Sequence, residues 1–205
     1  MSADFTIQAM VSRLLAGLIV VTIHGAVLAA MAVMLGDKGP RYDGRLTLSP
    51  AAQVDLFGLA AIVLSGFGWG RVVDIDKAQL RHGSLAVVAT VLAGSAALLL
   101  LAWLLTLLII PALTVLPYTA GLTTAAFLRF AAPFAVWMAL FSLLPLPPLA
   151  GAHFLNAVGI RFPPSAGLWA GGALLLASLL GITRFVLQPL FNLIAPMILG
   201  AGAGI

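Results

Sequence analysis

His24 lies in the run TIHGAVLAAMAVMLGD, residues 22–37, an apolar stretch long enough for several helical turns. A histidine so placed raises the chemistry of a zinc hydrolase. In the H-E-x-x-H pattern, imidazoles at i and i+4 share one helix face, about 6 Å apart along the axis, so both reach one metal. The glutamate beside the first histidine serves as general base on metal-bound water. Here the glutamate position holds Gly25 and the second histidine position holds Leu28. The remaining candidates are His82 in a polar loop, His153 after a proline-rich segment, and Asp37 and Asp43 just beyond the apolar run. Asp74 and Asp76 stand at alternate positions in VVDID and read as a solvated loop. With no cysteine in the chain, disulfides, thiolate metal sites and cysteine nucleophiles are excluded.

These residues must be held by an apolar scaffold. Of 205 residues, 62% are hydrophobic and only 8% charged, against about 25% charged in water-soluble domains. Lipid is therefore the main solvent, and the length suits five or six membrane passes of about 20 apolar residues each. The net charge of +4 comes from ten basic residues scattered along the loops, without the basic stripe and interleaved aromatics of a nucleic-acid surface. Arginine and lysine in such places cap membrane segments at the headgroups. Arg13 inside the first apolar run, and Asp4 near its start, do not fit a cleavable signal, so this segment is expected to remain as an anchor.

The expected organisation is a single integral membrane domain over residues 1–205, all-α and polytopic. Its apolar segments are 7–35, 54–70, 85–112, 125–145 and 166–200. The alternation of polar and apolar residues in RLTLS (45–49) and VVDID (72–76) predicts two short strands, a small β-hairpin or sheet at the membrane surface. Gly94, Ser95, Ala96 and Ala97 offer a small-residue surface for close helix approach. Pro111 and Pro117 end one apolar run, Pro133 kinks or starts the next, and LPLPPL (144–149) must interrupt it. Trp69, Trp103, Trp137 and Trp169 are interface anchors or packing residues.

Several landmarks together resemble the site-2 protease family of intramembrane zinc metalloproteases: His24, the Gly36-Asp37 pair, GRLTLSP at 44–50, Asp55, Gly58, GWGRVV at 68–73 and LLPLPPLAG at 143–151. The resemblance implies a site-2-protease-like core and a multi-pass location in a bacterial inner membrane. It also implies a zinc ion held by two helix histidines and the aspartate of a late L-D-G motif. Position by position, His24 matches the first ligand, while Gly25 replaces the general base, Leu28 the second ligand and Ala150 the aspartate.

Neither leucine nor alanine offers a lone pair, and glycine cannot move a proton. A catalytic zinc site needs three protein ligands and an open position. The expectation is therefore an inactive homologue without zinc or another cofactor. Such a protein would act as a binding or scaffold subunit, assembly factor or regulator within a complex of integral membrane proteins. Its partner-binding candidates are Arg45, Leu46, Thr47, Leu48 and Ser49, offered as a strand edge whose backbone pairs with an extended segment. The alternative is a divergent metalloprotease with relocated ligands, for which His24 and His153 are the metal candidates. In the plainer reading, His24 is a neutral imidazole bonded to a carbonyl or hydroxyl between helices, and His153 is an interfacial residue at a helix start. No inverted repeat points to a transporter.

Overall fold

A computed structural model describes residues 6–160, 162–163 and 166–200. Among them run ten helices: α1 (Ile7–Met34), α2 (Gly39–Tyr42), α3 (Pro50–Gln53), α4 (Leu56–Ser65), α5 (Ser84–Leu107), α6 (Ile109–Val115), α7 (Tyr118–Ser142), α8 (Ala152–Ala157), α9 (Ala166–Leu179) and α10 (Ile182–Leu199). Four helical stretches are long and apolar enough to cross a membrane: α1, the α5–α6 run, α7 and α10. The architecture is that of a polytopic helical membrane protein, with four such spans among the described residues where composition predicts five or six.

The shortfall lies in two segments. Residues 54–70 hold only the ten-residue α4, about 15 Å long and half the roughly 30 Å hydrocarbon core. Asp55 caps α4 by accepting from the Gly58 N–H at 2.7 Å. Gly66 stops it with a left-handed φ of 81°, a conformation costly for residues with a Cβ. Residues 166–200 divide into α9 and α10 at Gly181, also left-handed. Residues 201–205 lie outside the described residues, as do Asp4 and Arg161.

α7 is the central element, with two thirds of its most apolar window buried against 17% for the α5–α6 run. It runs unbroken through Pro133 from Tyr118. Trp137 stacks on Phe191 of α10 at 4.1 Å, and Phe67 meets it edge-on at 5.8 Å. Half of the small-residue surface of α5 is used internally, through Gly94 and Ser95, while Ala96 is exposed. Gly94 admits His24 and Leu28 of α1, and Ser95 shares a 3.0 Å hydrogen bond with Ser142 of α7. The four tryptophans divide: Trp137 is core, Trp69 packs under Gly171, and Trp103 and Trp169 face outward.

The two predicted strands do not form. Among the described residues the sole β pairing is an isolated antiparallel bridge between Val54 and Gly70. At 45–49 the alternation is inverted, with Arg45 buried while Leu46 and Leu48 are exposed. The cause is Gln53, whose amide nitrogen donates to the carbonyls of both Arg45 and Thr47 at 2.8 and 2.9 Å and curls this segment into a loop. At 72–76 the two-residue period is real, since Val73 and Ile75 are buried between exposed neighbours. No second strand lies alongside, because side chains satisfy this backbone instead. The Arg71 carbonyl accepts from Arg45, the Val73 carbonyl bonds His153 Nε2, and the Asp76 N–H donates to Asp37 at 2.8 Å. Non-helical backbone beside a membrane segment must find such partners.

Candidate functional site

α1 carries His24, Gly25 and Leu28 to the wall of a cavity of about 40 Å³. The loop after α7 brings Ala150, and α8 brings His153, to the same cavity. Positions more than 120 residues apart in sequence are thus gathered at one place. The space suffices for water-sized groups and is far too small for a peptide.

Each helix position has a definite neighbour. His24 Nε2 is shielded from solvent and, among the described residues, has no hydrogen-bond partner. A Cβ on Gly94 would stand 3.0 Å from that nitrogen, so glycine there is what lets the imidazole fit between α1 and α5. Leu28 is 4% exposed and packs on Gly94 as well. Beside Gly25 lies Gln53, whose Oε1 occupies the space a side chain at residue 25 would need. Gln53 is fully buried, and its Oε1, like His24 Nε2, has no partner. Two unsatisfied buried polar atoms in one small region cost stability and mark the site as more than packing.

His153 is buried rather than interfacial, because α8 turns it inward to the Val73 carbonyl at 3.1 Å from Nε2. Burial lowers its pKa from 6.5, while that carbonyl and the charge of Asp74 oppose the shift. With Nε2 donating to Val73, the ring is held in one orientation.

Two buried polar residues outside the lining of the cavity are structural. Asp37 is 1% exposed, and its two oxygens accept from the Gly39 and Asp76 N–H groups at 2.9 and 2.8 Å. It fastens the end of α1 to the extended 72–76 segment. Arg45 donates to the Ala52 carbonyl at 2.7 Å and to that of Arg71. Burial, then the neighbouring Arg71, lower its pKa, with Asp43 opposing, yet an arginine stays protonated at neutral pH. The candidates at 45–49 therefore offer little free backbone: the Arg45 N–H bonds Pro40, the Arg45 and Thr47 carbonyls bond Gln53, and the Ser49 N–H bonds Thr47 Oγ1.

Zinc is the metal this residue pattern raises, and the donor set does not fit it. Among the described residues no three His, Asp or Glu side chains come together as metal ligands. His24 and His153 are the imidazoles at the cavity, His82 is exposed in the turn before α5, and Asp37 has both oxygens committed. Gln53 was not legible as a site residue. Its one signal in the sequence was an amide standing alone between apolar segments.

Comparison with known proteins adds one relative. The chain is 32% identical over 143 residues to "Putative zinc metalloprotease YwhC" of Bacillus subtilis (strain 168), covering 66% of this chain and 63% of that protein. It thus spans less than two thirds of the relative's length. No protein-family model matches the chain, and neither does any solved structure. The chain is similar to a protein named as a metalloprotease, over the greater part of its own length.

Proposed function

We propose that this chain is a non-catalytic, site-2-protease-like membrane protein that binds another integral membrane protein, as a scaffold subunit, assembly factor or regulator. The observation that carries this reading is the convergence of His24, Gly25, Leu28 and Ala150 on one cavity, four positions among which only His24 has a side-chain lone pair to give. Similarity to a protein named as a putative zinc metalloprotease supports a metalloprotease-like ancestry, and the donor chemistry supports loss of the activity. The place of a general base is filled by Gln53, an amide with no useful basicity at neutral pH. Partner contact falls to outward side chains, Leu46 and Leu48 among them, since the backbone of that loop is engaged internally.

The test is metal content and cleavage of a model transmembrane substrate. The native protein is expected to hold no stoichiometric zinc and cut nothing. A variant with Gly25→Glu, Leu28→His and Ala150→Asp, with Gln53→Ala to make room, is expected to take up about one zinc ion, as a three-ligand site should. Native protein that carries zinc and cleaves peptide bonds overturns the reading.

A second reading, a divergent metalloprotease, has one observation behind it: His24 and His153 line the same cavity. Loss of cleavage and of metal in both His24→Ala and His153→Ala would establish it.

A further inference from the structure

α10 is long and apolar enough to cross a membrane, yet it carries two carboxamides, Gln188 and Asn192, the seventh and eleventh of its 18 residues. At 1.5 Å per residue they stand about 9 and 15 Å from its start, in the middle of the span. Gln188 Nε2 donates to Asn192 Oδ1 at 2.8 Å, and Asn192 is exposed. That bond leaves the Gln188 carbonyl oxygen and the Asn192 N–H groups without a partner among the described residues. Other exposed polar side chains on the spans are satisfied within their own helix. Thr114 and Thr123 donate to carbonyls four residues earlier at 3.1 and 3.0 Å. The backbone adds to the demand on α10: Pro196 has no N–H to give the Asn192 carbonyl, nor Pro189 one for Phe185. Phe185, Pro189, Asn192 and Pro196 are all exposed, and helical geometry puts them within an arc of about 60°. One outward stripe of a membrane helix thus presents donors and acceptors that hydrocarbon cannot satisfy.

We propose that this stripe of α10 pairs with the same stripe of a second copy of the chain, about a two-fold axis along the membrane normal. A copy inserted the same way brings its own Asn192 to the same depth, whereas any other partner must supply a matching polar group there. A carboxamide holds both a donor and an acceptor, so it complements itself. Each Asn192 donates through Nδ2 to the side-chain oxygen of the other, whose second lone pair is free beside the bond from Gln188. Such contacts between like patches are isologous and close the assembly at two. Asparagine and glutamine bonds across helices are a known source of association in lipid, and a single asparagine at a helix seam also sets register. The pairing uses no residue of the cavity at His24, so it is independent of the proposed loss of protease chemistry.

The experiment reconstitutes the full chain in phosphatidylcholine vesicles and counts subunits by single-molecule photobleaching over a series of protein-to-lipid ratios. Wild type is expected to pass from monomer to dimer as the ratio rises. Asn192→Leu should weaken that association roughly tenfold, while Thr123→Val, on an exposed site of α7, leaves it unchanged. A second measurement keeps both amides intact. The native chain has no cysteine, so Phe185→Cys places a lone thiol on the stripe, and a short bismaleimide should join two such chains. Leu100→Cys, at an exposed site of α5, should join far fewer. A monomer at every ratio, an undiminished Asn192→Leu variant, or equal cross-linking at both cysteine sites overturns the proposal. Association with a different membrane protein while the reconstituted chain alone stays monomeric overturns it too.

Discussion

Gln53 Oε1 stands where the first carbon of any side chain at Gly25 would have to go. α1 can therefore pass the 45–53 loop only because residue 25 is glycine, and the loop keeps its shape only because Gln53 bonds two of its carbonyls. The two residues form one unit, contributed by α1 and by α3.

That coupling is measurable. Gly25→Ala would ordinarily favour a helix interior by about 0.5–1 kcal/mol. Here it should destabilise by about 2 kcal/mol through overpacking. In a Gln53→Ala background the same change should lose that penalty, giving a double-mutant cycle with clear non-additivity in thermal or denaturant unfolding.

Arg45 makes a second prediction. Replacing it with methionine keeps much of the volume and leaves the Ala52 and Arg71 carbonyls without their charged donor. The expected loss is about 3 kcal/mol. Limited proteolysis should show earlier cleavage within residues 45–55 than in wild type.

His153 predicts a pH dependence. Its folded pKa lies below 6.5, so as pH falls through that value the unfolded chain takes up a proton that the folded chain refuses. Stability is fully present above 6.5 and declines as pH falls below it toward the folded pKa. His153→Gln, which can still donate to Val73, should flatten that part of the profile when melting temperatures are compared between pH 7.5 and 5.5.

Gly58 and Gly68 predict the harshest effects. A Cβ on Gly58 would run into the Trp69 carbonyl, and one on Gly68 into the Gly58 carbonyl. Backbone meets backbone there, with no flexible side chain to give way. Gly58→Ala and Gly68→Ala should each abolish recovery of folded, monodisperse protein in mild detergent, whereas Gly172→Ala, with open space around it, should not.

The sequence by itself determined the helical membrane character and the poverty of donors at positions 24, 25, 28 and 150. These follow from local chemistry: apolar runs and the presence or absence of a lone pair. Tertiary structure alone decided which polar groups face inward. Alternation at 45–49 could not reveal that a distant glutamine would take two carbonyls and turn Arg45 into the core. The period at 72–76 could not reveal that Asp37 and His153 would stand in for a partner strand. His153 belongs to the same class, because burial of a polar side chain depends on partners supplied by other segments, and no local pattern encodes them.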